Sequence, residues 1–135
     1  MAVDALSPPA RSKVVVLDFF ATWYLPCVAS IPHVNALIGE TKDLPVVFLA
    51  VASEARGVLA PVLDKHPMRA TLVLDRDGET YKNYWVSRLP FVDIIGTDGR
   101  IAAFQHPERI ARADIEKAMR LRATSEIRPG RPSVR

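Results

Sequence analysis

The chain contains a single cysteine, Cys27, among 135 residues. One thiol cannot close an intramolecular disulfide or build a cysteine-rich metal centre. Its three histidines, His33, His66 and His106, are scattered and show none of the Cys-x-x-Cys or His-Glu-x-x-His spacings that hold zinc. No metal site and no cofactor are therefore expected. No apolar run approaches the ~20 residues that cross a bilayer, so no membrane span is expected. Residues 1–9 have neither a basic n-region nor an apolar h-region, and as written they do not read as a signal peptide. No internal repeat is visible. A strong charge imbalance is missing too. The net charge is +3, but residues 120–135 hold five arginines against one glutamate, which leaves a net −1 over the rest. The basic character belongs to the tail, and no nucleic-acid surface is expected on the body.

Apolar residues make up 49% of the chain and charged residues 24%, enough to bury one sizeable core. Residues 1–12, with Ser7-Pro8-Pro9, read as an extended lead-in. Residues 14–20 form a near-continuous apolar run rich in valine and phenylalanine, the pattern of a strand buried on both faces. Asp18 interrupts it. A helix is predicted over 25–38, with Cys27, Val28, Ile31, Val34, Leu37 and Ile38 as its apolar stripe. Pro26 falls in the first turn, Pro32 should kink the middle, and Gly39 is the expected stop. A second buried strand follows over 46–52. The next helix, 55–65, has Ser53 or Glu54 as its expected cap. Residues 71–74 read as a short strand, 75–78 as a turn, and 79–85 as one or two helical turns that gather Tyr81, Tyr84 and Trp85. Strands over 91–96 and 100–105 flank the tight turn Thr97-Asp98-Gly99. A final helix is predicted over 108–121, and 122–135 should be a disordered basic tail. The crossover between the first two strands makes them parallel, and the last two are antiparallel. The expectation is one α/β domain over 13–121, a mixed central sheet flanked by helices on both faces.

Val15-Val-Leu-Asp-Phe-Phe-Ala-Thr-Trp23 resembles the thioredoxin strand that delivers a thiol to the first turn of a helix. Ile31-Pro-His-Val-Asn35 resembles the helix of the TlpA/ResA-like thiol–disulfide oxidoreductases. Leu74-Asp-Arg-Asp-Gly-Glu-Thr-Tyr81, Tyr84-Trp-Val-Ser-Arg-Leu-Pro90 and Ile95-Gly-Thr-Asp-Gly-Arg-Ile101 resemble their insert and hairpin. The likeness covers residues 13–121 and implies a thioredoxin fold. It also implies that Pro90 is a cis-proline facing the active turn, that the Leu89 backbone pairs with an extended substrate, and that Asp18 is the buried acid serving the second thiol. A bacterial envelope location is implied as well, whereas the sequence as written would place the chain in the cytoplasm. The turn departs from the family in one place. Where the family reads Trp-Cys-x-x-Cys, this chain reads Trp23-Tyr24-Leu25-Pro26-Cys27.

Thiol–disulfide exchange needs an attacking thiolate and a resolving thiol. A phenol of pKa ~10 cannot replace the first. Ordinary dithiol turnover is therefore not expected. The expected site has Cys27 and Asp18 as its chemical residues, with a groove of Trp23, Tyr24, Leu25, Pro26, Leu89 and Pro90 for a peptide or protein partner. A monothiol enzyme using Cys27 against glutathione or a protein thiol is the alternative. A further one is a peroxidase, since peroxiredoxins resemble this fold and place Thr-x-x-Cys at this turn. Their catalytic arginine would lie near Pro90, where this chain has Arg88 two residues away. A fourth reading makes the fold a scaffold for the basic tail. Asp93 is expected either to face solvent at a sheet edge or to pair through water with the Asp18 region. His33 should cap a groove or face solvent. A monomer is expected, or a Cys27-linked dimer if that thiol is exposed.

Overall fold

In a computed structural model of the protein, residues 13–75, 77–84 and 89–120 are described. The expectations for residues 1–12, for Trp85 and Arg88, and for Leu121 with the 122–135 tail lie outside them. Strands β1 (Val14–Phe19) and β2 (Val46–Ala52) form where the two longest apolar runs lie. They pair in parallel, Val14 opposite Val46 through Phe19 opposite Val51. Strand β3 (Thr71–Leu74) joins β2 in parallel. Strand β4 (Phe91–Ile95) runs antiparallel to the other side of β1, and β5 (Ile101–Gln105) antiparallel to β4. The order across the sheet is β3-β2-β1-β4-β5, so β1 lies at its centre and all six of its residues are buried. Gly99 takes the left-handed conformation, φ 83°, that the β4–β5 turn requires.

Alternation along β1 sends two sets of side chains to two cores. Val14, Val16 and Phe20 enter the larger one, with Cys27, Val34, Leu37, Leu59, Ile110, Ile115 and Ala118. Val15, Leu17 and Phe19 enter the smaller, with Tyr84 buried there and Tyr81 packed against it. The larger core is covered by α1 (Leu25–Ala29), α2 (Ile31–Glu40), α3 (Arg56–Lys65) and α5 (Arg112–Met119). The opposite face is covered by α4 (Glu79–Asn83). This is the expected mixed α/β sheet with helices on both faces, unevenly shared. The aromatic gathering of Tyr81 and Tyr84 on the sheet is also found, with Phe19 5.0 Å from Tyr81 edge-on and 5.9 Å from Tyr84.

Several expected boundaries move. The first helix is not kinked at Pro32 but split at Ser30 into α1 and α2. Pro32 has no N–H to return to the preceding turn, so the chain closes α1 and starts again with proline in a first turn. Ser30 seals the break, its Oγ donating to Cys27 O at 2.8 Å. Gly39 is inside α2 and does not end it. The helix stops at Thr41, whose Oγ1 donates to Leu37 O at 2.8 Å. A Cβ at position 39 would meet only the tip of the exposed Arg69 side chain, at 3.3 Å, so no close backbone approach demands glycine there. The cap of α3 is Ala55, not Ser53 or Glu54. The last helix begins at Arg112, because Arg109 N–H turns back to His106 O at 2.8 Å and Asp114 Oδ2 accepts from Ala111 N–H at 2.8 Å.

Candidate active turn

The end of β1 and the start of β4 meet at one end of the sheet, where the candidate site lies. Phe19 is the register partner of Phe91. The chain therefore leaves β1 through Ala21–Leu25 as Leu89 and Pro90 enter β4 beside it. The Leu89–Pro90 peptide is cis. Leu89 packs against both cores, including the one that holds Cys27. The turn itself is split. Trp23 is 72% and Leu25 76% exposed, with Tyr24 at 36% and Pro26 exposed beside them. Cys27, two residues beyond Leu25, is 1% exposed. The N-cap of α1 is Tyr24, in extended conformation, and Cys27 N–H donates to Tyr24 O at 3.0 Å. The Trp23 and Tyr24 rings lie 5.9 Å apart, forming one aromatic platform.

Burial pushes the Cys27 thiol up to about 11. A backbone hydrogen bond at Ala21 pulls the other way, and the charges of Asp18 and Glu54 add to the rise. The exposure that a Cys27-linked dimer or an external mixed disulfide requires is therefore not present. Asp18 lies on the same sheet face as Val16 and Phe20, between Ala50 on β2 and Val92 on β4. It is 4% exposed, its Oδ1 has no hydrogen-bond partner among the described residues, and burial pushes its carboxyl up to about 7. Asp18 and Cys27 are thus brought into one electrostatic neighbourhood.

Asp93 corrects both of its expected placements. It is fully buried, opposite Leu17 and Phe104, and alternation puts it on the face of β4 away from Asp18. It neither faces solvent nor shares the Asp18 region. His33 does face solvent, and its Nε2 reaches Ile110 O at 2.8 Å, which ties α2 to the segment ahead of α5.

Two residues enter that the sequence reading did not place at the site. Tyr81 runs its ring past Phe19 and donates its hydroxyl to Phe20 O at 2.9 Å, with Val51 O at 3.2 Å. Burial, and then the nearby negative groups Cys27, Asp18, Asp75 and Glu54, push its phenol upward. Glu54 accepts from Thr22 N–H at 2.7 Å and from Thr22 Oγ1–H at 2.6 Å. The signal for Glu54 was its position. It lies two residues past the end of β2, and parallel pairing carries the ends of β1 and β2 to one side. No group of three potential metal ligands occurs among the described residues, and none of their helices is long and apolar enough to cross a membrane.

The AhpC/TSA family model matches residues 5–104. The chain is 29% identical over 92 residues to the thiol-disulfide oxidoreductase ResA of Bacillus thuringiensis subsp. konkukian, covering 67% of this chain and 53% of that protein. The chain spans about half the length of the curated relatives it matches. Among solved structures it is similar to a thiol:disulfide interchange protein DsbE from Chlorobium tepidum, with a TM-score of 0.74, 25% identity and 82% of each chain covered. StoA from Bacillus subtilis shares the fold, with a TM-score of 0.64 at 19% identity over 70% of this chain and 74% of that one. The expected thioredoxin fold and the resemblance to ResA-like oxidoreductases are both found.

Proposed function

The chain belongs to the AhpC/TSA family, and from that premise we propose that it is a ResA/DsbE-type, thioredoxin-like member whose dithiol centre is impaired. It holds an extended peptide or protein segment against the old active turn. The observation that carries this reading is the division of the turn. Tyr24 stands where the attacking thiol would stand, and the one thiol left is 1% exposed. Large apolar side chains, Trp23 and Leu25, are exposed just past the end of β1, and the half-buried Leu89 and Pro90 lead into β4, the strand paired with it. Exposed aromatic and aliphatic anchors of this kind are contact groups, while a buried thiol held mostly protonated is a poor nucleophile. The same burial counts against the monothiol and peroxidase readings, both of which need Cys27 within reach of an external sulfur or peroxide.

The test is a titration of the whole protein with an extended, cysteine-free peptide alternating valine and phenylalanine, followed by backbone NMR. Chemical-shift changes should concentrate at Trp23, Leu25 and Leu89, and insulin reduction and peroxide consumption should stay at background. Shift changes confined to other surfaces, or insulin reduction at thioredoxin-like rates, would refute the proposal.

A further inference from the structure

We propose that Glu54 is a positioning residue that latches the exposed Trp23–Tyr24–Leu25 platform in its binding pose through Thr22. The inference rests on the groove reading above and deepens it. Side chains as exposed as Trp23 and Leu25 are not fixed by burial, so their pose depends on how the backbone beneath them is held. Thr22, the residue just before Trp23, gives both of its donors to one carboxylate. The N–H goes to Oε1 at 2.7 Å and the hydroxyl to Oε2 at 2.6 Å. Distances of about 2.5–2.9 Å are those of charge-assisted bonds, and two parallel ones fix orientation as well as position. The partners are 32 residues apart in sequence, and the latch extends the β1–β2 pairing into the loops that follow the two strands.

Where the Glu54 carboxylate does not go is informative. Glu54 lies two residues before α3, where a carboxylate would cap free N–H groups and favour the helix dipole. The cap of α3 is instead Ala55, with no side-chain hydrogen bond and no acid in the first turn. Glu54 leaves that role empty and turns to Thr22. Its charge also reaches Cys27, where it opposes the thiolate. One residue therefore holds the contact surface outward and helps keep the buried thiol protonated.

The test uses the full chain with Trp85→Phe, so that Trp23 is the sole indole, and compares Glu54→Ala, Glu54→Gln and Thr22→Val. Three quantities are read: exchange of the Thr22 amide, Trp23 fluorescence anisotropy, and Kd for the same valine–phenylalanine peptide. Glu54→Ala should raise Thr22 exchange and weaken the peptide Kd about 10-fold each, and lower the anisotropy, with a small change in melting temperature. Glutamine offers one acceptor to the N–H and one donor to the hydroxyl oxygen, so Glu54→Gln should stay within about 3-fold of the parent. Thr22→Val, which keeps the N–H arm alone, should fall between. If Glu54→Ala leaves exchange and anisotropy unchanged, the latch is refuted. If it loosens the turn without weakening Kd, the positioning role is refuted. If the parent binds no peptide, the groove reading and the positioning role built on it fail together, while exchange and anisotropy still decide the latch.

Discussion

Two stretches of one turn, separated by a single proline, live in opposite surroundings. Trp23–Leu25 is open to solvent, and Cys27 is sealed beneath it with a carboxyl that burial has pushed up to about 7. The outer half keeps its side chains exposed although they are apolar, and the inner half keeps polar groups buried although they are ionisable. Each arrangement is costly in isolation. The proposed function accounts for their coexistence as a contact surface laid over a buried thiol.

The comparison can be broken most severely by placing a second sulfur at position 24. Tyr24→Cys should raise insulin reduction at least ~100-fold above the parent, because the new thiol would sit exposed at the start of α1 with Cys27 one turn on. No gain would mean that the inner half no longer works as a resolving site. Next in size is the reactivity of Cys27. A rise from 9.0 to about 11 leaves about 100-fold less thiolate at neutral pH, before any loss of access. Labelling by an aromatic disulfide reagent should therefore be about 100-fold slower in the native protein than in urea, and equal rates would contradict the sealed inner half.

Asp18 gives a pH signature in stability. Its folded carboxyl is raised above the unfolded value of 3.8, so between about pH 4 and 7 the folded state holds the extra proton. Below that window the protonated group's contribution is fully present. Across it, stability falls as pH rises, by roughly 4 kcal/mol in all, and stays low above it. Asp18→Asn should remove that slope in urea midpoints measured from pH 4 to 8 and be the more stable protein above pH 7. A steeper slope in the variant would sink the assignment. The smallest effect is expected at Trp23. Trp23→Ala should weaken peptide binding by about 1–2 kcal/mol while leaving the melting temperature nearly unchanged, because so little of the side chain is buried. A large loss of stability would show that the outer half is structural.

The sheet and the turn were legible because their signals are local. Val14 to Phe20 and Val46 to Ala52 are long enough apolar runs to announce buried strands, and Asp18 stands out against its neighbours. The split at Ser30 was half legible. Pro32 predicts a disturbance, but whether the helix bends or restarts depends on Ser30 finding Cys27 O. Asp93 was not legible. Its place is set by which face of β4 meets the smaller core, and that follows from sheet register, not from the five residues Phe91–Ile95 themselves. Glu54 was misplaced for a related reason. Sequence neighbours suggested a helix cap, while the partner it takes is 32 residues back along the chain.

The Tyr81 hydroxyl has a mechanical consequence. It bridges the carbonyls of Phe20, just past β1, and Val51, near the end of the parallel β2, from a short helix that follows β3. That makes α4 a prop under the mouth of the site, with one end braced by Asp75, whose carboxylate accepts the N–H groups of Thr80 and Tyr81. The spacing from Asp75 to Tyr81 is therefore a ruler. Adding or removing one residue between them would lift or drop the phenol by about 1.5 Å along the helix and rotate it off the carbonyls, so the length of this segment and the shape of the turn above it must change together.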